Sequence, residues 1–220
     1  MMQTVIPAHW YVVVKIYLII LSLFCSLIGA YYLFGFHFTL NGDALYETVS
    51  KYEMVKQRIT KGELPLWEPY EGGGVSFMFQ GSRDLVSMFL LRWMPAKDYV
   101  IVTGFFYICF GLFTMFVFLK ELKCSDYASF IGSIIWGFSG FSLTGSADLM
   151  QGLLLALIPF GMLCTEKMII QGKREWVFPF IIATSIQLTT GRWEFVQYSF
   201  TIYAVWIIAS IWGRNDNLLL

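Results

Sequence analysis

The chain has 220 residues and a formal net charge of zero, with 57% apolar, 19% aromatic and 14% charged residues. A soluble domain of this composition would expose apolar patches large enough to aggregate, which excludes an ordinary soluble protein. The zero net charge gives no electrostatic reason to expect nucleic acid as a partner. Several apolar runs reach the length of about 20 residues that a helix needs to cross a hydrocarbon core. The composition therefore predicts an all-α, polytopic transmembrane helical bundle with the lipid bilayer around it.

The apolar runs predict about six spans within a single transmembrane domain over residues 1–220. These spans cover residues 11–34, 99–119, 127–145, 149–165, 176–191 and 195–212. Gly132, Gly137 and Gly140 fall in the third span, and small residues of this kind let helices approach closely. We therefore expect the third span to lie inside the bundle.

Two further residue types mark the later spans. Pro159 and Pro179 fall in the fourth and fifth spans and predict kinks there. Gln187 and Gln197 fall in the fifth and sixth spans, where amide side chains are expected to form interhelical hydrogen bonds.

Basic residues are distributed unequally between the two sets of helix ends. One set carries most of those in short loops, namely Lys15, Lys120, Lys123, Lys167, Lys173, Arg174 and Arg214. The opposite short loops carry only Arg192. Basic residues in short loops favour the cytoplasmic side. The sequence thus predicts a multi-pass protein of the cell membrane with both termini cytoplasmic and residues 35–98 external.

A polar segment at residues 41–98 interrupts the apolar sequence and holds 8 of the 15 acidic residues. Its apolar residues first follow helical spacing, at Leu45, Val49, Tyr52, Val55 and Ile59. This spacing predicts an amphipathic helix over 44–61 that lies along the membrane interface and ends at Gly62. A second interfacial helix is predicted over 84–94, stopped by Pro95.

Residues 62–74 read Gly-Glu-Leu-Pro-Leu-Trp-Glu-Pro-Tyr-Glu-Gly-Gly-Gly. The residues before Pro65 and Pro69 are forced into extended backbone. The three glycines predict either a flexible loop or a close approach of the backbone to a ligand.

This motif carries a resemblance to a family. A first span, Gly42-Asp43, an amphipathic helix and the residues 62–74 together resemble the first external loop of bacterial YfhO-type membrane proteins. Gly191-Arg192-Trp193-Glu194 also stands where that family has a short external motif. The resemblance covers about residues 35–212 and implies the GT-C architecture of glycosyltransferases. Family members are longer, so we expect the chain to be the N-terminal part of a larger GT-C-like module.

The resemblance implies an activity for the longer parent enzyme. It would transfer a sugar from a polyprenyl-phosphate-linked donor to an extracytoplasmic glycopolymer or lipid acceptor of the cell envelope. In this class an acidic residue of the first external loop is the general base, which points to Asp43. A positioned base contributes roughly 10²–10⁴-fold to a rate. The alternative for Asp43 is to cap the helix that follows it.

The resemblance also places candidate substrate-binding residues in the external loops. They are Glu63, Trp67, Glu68, Tyr70, Arg83 and Arg192. The carboxylates could bind the acceptor or a divalent cation, although the motif lacks the ligand density of a metal site, and a solvated loop is the alternative. The aromatic rings could stack on a sugar or sit at the membrane interface. The arginines could hold the donor phosphate or extend to lipid head groups.

Two other functions remain open from the sequence. A lipid-substrate transporter or flippase needs polar residues near the bilayer midplane and often contains inverted repeats, of which the sequence shows none. A non-catalytic membrane assembly protein would retain the external loop as structure alone.

Overall fold

The computed structural model of the chain describes Ile20 and residues 48–64, 67–68, 73–76, 90–142, 149–188 and 193–216. Regular structure in these ranges is helical apart from one short β-hairpin. The helices are α1 (Ser50–Thr60), α2 (Ala96–Glu121), α3 (Asp126–Gly137), α4 (Leu149–Thr165), α5 (Val177–Leu188) and α6 (Trp193–Asp216). A π-helical segment (Glu166–Ile170) extends α4, and a 3-10 turn (Arg174–Trp176) leads into α5. The strands are β1 (Trp67–Glu68) and β2 (Val75–Ser76).

Three helical segments are long and apolar enough to cross a membrane. They are Ala96–Glu121, Gln151–Ile170 and Trp193–Trp212. They coincide with the second, fourth and sixth predicted spans. The run at 11–34 lies outside the described residues except for Ile20.

The third and fifth predicted spans contain helices of 12 residues each, α3 and α5. A helix of that length is about 18 Å long, which is shorter than a hydrocarbon core. Just past the end of α3, the hydroxyls of Ser139 and Ser142 donate to the carbonyl of Trp136, at 2.9 and 2.8 Å. The count of six spans therefore stays a prediction.

The two prolines have different positions in their helices. Pro159 lies inside α4, which continues past it. Pro179 lies in the first turn of α5, directly after the 3-10 turn. A first-turn N–H has no partner within its helix, so Pro179 costs α5 no hydrogen bond.

Helices α2, α4 and α6 run in the same direction, because contacts join their C-terminal parts. The side-chain amide of Gln171 donates to Glu121 at 2.6 Å, which joins the extension of α4 to α2. The rings of Phe118 and Trp206 meet edge to face at 5.3 Å, which joins α2 to α6. We call this end of the bundle the Glu121 end, and the end where the three helices begin the α1 end.

Glycine allows the closest helix contacts, as the sequence predicts for the third span. A Cβ at Gly132 or Gly137 would overlap Leu119 or Leu112 of α2. These two glycines therefore seat α3 directly on α2. The expected position inside the bundle is not borne out, because Tyr127 and Ile135 of α3 are exposed.

A buried hydrogen-bonded group joins α4, α5 and α6 in the middle of the bundle. The Gln187 amide donates to the Tyr203 hydroxyl at 3.1 Å, and that hydroxyl donates to the Leu157 carbonyl at 3.3 Å. The prediction of an interhelical bond for Gln187 is confirmed. The side chain of Gln197 is exposed on α6, and the described residues give it no interhelical partner. That prediction is wrong because Gln197 lies on the face of α6 opposite the packed residues Val196, Ser199 and Tyr203.

Candidate functional site

Helix α1 packs on the first turns of α2 through an apolar face. Tyr52 and Val55 are buried, at 2% and 0% exposure, in one cluster with Ala96, Tyr99 and Val100. The rings of Tyr52 and Tyr99 are 5.1 Å apart between centroids. Full burial of side chains of this size contributes about 1.5–3 kcal/mol each. The apolar face that the spacing predicted is therefore the surface by which the polar segment attaches to the bundle.

The C-terminus of α1 is closed by a Schellman motif. Gly62 has a φ of +77°, its N–H donates to the Ile59 carbonyl at 3.0 Å, and the Glu63 N–H donates to the Arg58 carbonyl at 3.0 Å. A positive φ suits glycine at this position. The prediction that Gly62 ends the helix is confirmed. The motif fixes the direction in which the chain leaves α1, and Glu63 follows with an exposed side chain.

The motif after α1 forms an antiparallel hairpin in which Trp67 pairs with Ser76 and Glu68 with Val75. Gly73 and Gly74 have φ of +82° and +112° in the turn before β2. A Cβ at Gly74 would overlap the indole of Trp67. The close approach expected at the glycines is therefore made by a ring of the same chain. The Trp67 side chain remains half exposed, at 50%.

The described residues include only part of the predicted site. Glu63 and Trp67 are both exposed, and Trp67 and Glu68 form β1. Four predicted site residues lie outside the described residues, namely Asp43, Tyr70, Arg83 and Arg192. Their roles stay predictions. The second interfacial helix is described only from Leu90, which is helical together with Leu91 and is followed by a turn before Pro95.

A cleft between α2, α3 and α4 was not predicted from the sequence. Its volume is about 10 Å³, which is room for a single water-sized group, and it is lined in part by Tyr107, Trp136 and Ser142. Three glycines and an alanine also line it, since small side chains leave space where three helices meet: Gly111, Gly137, Gly152 and Ala156. The lining offers phenol, indole and hydroxyl groups and no carboxylate. The lining therefore supplies no general base.

A charged network occupies the Glu121 end. Glu121 forms an ion pair with Lys167 and accepts the Gln171 bond, and Lys120 contacts Asp126 at 2.6 Å. The carboxylate of Glu166 is buried and accepts from the Trp206 indole at 3.3 Å. In the part of the chain that the structure describes, no three His, Cys, Asp or Glu side chains are placed to hold a metal ion.

Fold and site thus define a helical chain with three helices able to cross a membrane and a folded polar segment attached at one end. No protein-family model, curated protein or solved structure matches the chain. The resemblance to the YfhO-type proteins therefore depends on the quoted residues alone, and its functional content is a proposal.

Proposed function

We propose that the chain acts as a membrane glycosyltransferase that takes a sugar from a polyprenyl-phosphate donor and passes it to an extracytoplasmic acceptor. The observation that carries the proposal is the folding of the polar segment at the α1 end. Helix α1 is held on α2 by buried apolar side chains, and the hairpin that follows presents Glu63 and Trp67 to solvent. A rigidly attached, solvent-facing loop beside spanning helices suits an enzyme whose donor carries its sugar at the membrane surface.

The hairpin supplies groups suited to a sugar. Gly74 lets the Trp67 ring pack against the backbone, which fixes the ring while half of its surface stays accessible. An aromatic side chain held in this way combines apolar area with low conformational freedom. Glu63 stands four residues earlier, directly after the Schellman motif, where a carboxylate can accept from hydroxyl groups.

Asp43 is the proposed general base. It stands seven residues before α1, so the chain can separate it from Ser50 by roughly 25 Å at most. It can therefore reach the α1 end. The carboxylate would take the proton of the acceptor hydroxyl as that oxygen attacks the anomeric carbon, and the lipid phosphate would leave with the bonding electron pair.

The test uses the full chain reconstituted in phospholipid vesicles with a polyprenyl-phosphate that carries a radiolabelled hexose. Donor binding is measured first, and label transfer to an added envelope-lipid fraction is measured second. The variants are Asp43→Asn, Trp67→Ala and, as a control on the exposed face of α1, Glu53→Gln. We expect Asp43→Asn to bind the donor and lose transfer by about 10²–10⁴-fold. We expect Trp67→Ala to bind more weakly and the control to match the wild type.

The possible outcomes separate the alternatives. Transfer that survives Asp43→Asn would show that another group is the base. A wild-type chain that binds no polyprenyl-phosphate sugar would contradict the proposal and favour an assembly role. Movement of the labelled donor across the bilayer without transfer would favour a flippase.

A further inference from the structure

The short loops of the Glu121 end carry more basic charge than its ion pairs neutralise. Lys120 forms an ion pair with Asp126, and Lys167 forms an ion pair with Glu121. Glu166 is buried against Trp206 and does not face the loops. Three exposed basic residues stand outside these pairs, namely Lys123, Lys173 and Arg174. Glu175 is the acidic residue next to them in sequence.

These three side chains belong to one end of the bundle. Lys123 is in the turn between α2 and α3, and Lys173 and Arg174 are in the turn between α4 and α5. The bond from Gln171 to Glu121 holds the two turns together. Lys173 lies in the electrostatic field of Glu121, whose carboxylate is already contacted by Lys167 and Gln171. Among the described residues, none of the three forms an ion pair within 4 Å.

The backbone at Lys123 is unusual. Its φ is +63°, and it is the single described residue other than glycine with a positive φ. It takes the left-handed position of a Schellman motif, in which the Lys123 N–H donates to the Lys120 carbonyl at 3.0 Å and the Cys124 N–H to the Leu119 carbonyl at 3.1 Å. Glycine usually fills this position because a side chain there is strained. A lysine kept at a strained position is a reason to look for a role of its charge.

Exposed aromatic rings surround the same end. Tyr127 begins α3, Phe178 begins α5 and Trp212 lies near the end of α6, with exposures of 68%, 70% and 69%. Aromatic rings at the ends of spanning helices are typical of the membrane–water interface. A ligand at this end therefore has both exposed aromatic rings and cationic groups available to it.

We propose that Lys123, Lys173 and Arg174 form a binding site for the head group of an anionic phospholipid. Basic groups between membrane helices bind lipid phosphodiesters, and a guanidinium can contact two phosphate oxygens at once. The surrounding rings favour a lipid over free phosphate, because a lipid also has acyl chains to pack against them. The site lies at the opposite end of the bundle from α1 and does not depend on the proposed transferase activity.

The experiment measures lipid binding to the full chain in nanodiscs and by native mass spectrometry from detergent. The probes are phosphatidylglycerol, phosphatidylcholine and inorganic phosphate. The test variant combines Lys123→Asn, Lys173→Gln and Arg174→Gln, since asparagine tolerates the left-handed conformation. The matched control removes three basic residues of α1 with Lys51→Gln, Lys56→Gln and Arg58→Gln. Melting of each variant in lipid-free micelles checks its folding.

We expect wild-type chain and control to bind phosphatidylglycerol in preference to phosphatidylcholine. The test variant should lose affinity for phosphatidylglycerol by about a hundredfold, since each basic group near an anionic surface contributes about fivefold. The variant that combines Lys123→Arg, Lys173→Arg and Arg174→Lys should keep the preference. Equal binding of both lipids, full binding by the test variant, or an equal loss in the α1 control would overturn the site. Equivalent stabilisation by inorganic phosphate would overturn the lipid assignment.

Discussion

The two ends of the bundle are held together by different forces. At the α1 end, Tyr52 and Val55 attach the polar segment to α2 by burial of apolar surface. At the Glu121 end, the Glu121–Lys167 and Lys120–Asp126 pairs join helix ends that face a polar boundary. Apolar burial is not weakened by charge screening, whereas partly exposed ion pairs are. The attachment of α1 should therefore keep its strength at high salt, whereas the contacts between helices at the Glu121 end should weaken.

The largest effect is expected from Tyr52→Ala. It removes a buried ring that packs on Tyr99 and should lower the free energy of unfolding by about 3–5 kcal/mol. Because the contact is apolar, the loss should be the same at low and high salt. Thermal unfolding in detergent measures it, with Glu53→Ala on the exposed side of α1 as the control. A marked dependence on salt would show that α1 is not held mainly by burial.

A smaller and salt-sensitive effect is expected from Glu121→Ala. The change removes the partner of Lys167 and the acceptor of Gln171, and should cost about 1–3 kcal/mol at low salt. The cost should shrink as salt screens the pair. The control is Glu175→Ala, an exposed carboxylate at the same end. Unfolding at several ionic strengths tests this, and a loss independent of salt would contradict the comparison.

The loss of a buried hydrogen bond in the middle of the bundle should have a smaller effect on stability than either change at the two ends. Tyr203→Phe removes the hydroxyl shared by Gln187 and the Leu157 carbonyl and should cost about 0.6–1.7 kcal/mol, as for other hydrogen bonds between membrane helices. Tyr198→Phe, at an exposed ring on the same helix, should change nothing measurable. Equal unfolding midpoints for the two variants would contradict the assigned bond.

The smallest effect has the opposite sign. Lys123→Gly should raise the free energy of unfolding in lipid-free micelles by about 0.5–1 kcal/mol, because glycine relieves the left-handed strain at some entropic cost. The matched change Lys173→Gly should destabilise, since its φ of −84° suits any residue. A loss of stability in Lys123→Gly would show that the lysine is held there by contacts stronger than the strain.

Local signals in the sequence predicted the main elements correctly. The apolar runs identified the three long helices, the spacing of Val49 to Ile59 identified the apolar face of α1, and Gly62 identified its end. Each of these depends on residues within a few positions of one another. The early end of α3 was missed, because the apolar sequence continues past Gly137 through Phe138 and Phe141.

The candidate site was less predictable than the fold. Gly72-Gly73-Gly74 predicted a close approach, yet only the hairpin register shows that the approaching group is Trp67. The cleft at Tyr107, Trp136 and Ser142 lies between residues that are far apart in the sequence, so no short stretch of sequence predicts it. The basic residues 120, 123, 167, 173 and 174 were grouped correctly at one end by the loop rule. Which of them are neutralised depends on ion pairs between residues far apart in the sequence, such as Lys167 and Glu121.

From the distribution of basic residues in the short loops we propose that the α1 end faces outward and the Glu121 end faces the cytoplasm. Single cysteines test it directly in a chain whose four native cysteines are replaced by alanine. The variants Glu63→Cys and Lys173→Cys are treated in intact cells with a membrane-impermeant maleimide, and then again after permeabilisation. The account predicts that the Glu63→Cys variant is labelled in intact cells and the Lys173→Cys variant only after permeabilisation. Labelling of both positions from the same side, or the reverse order, would contradict it.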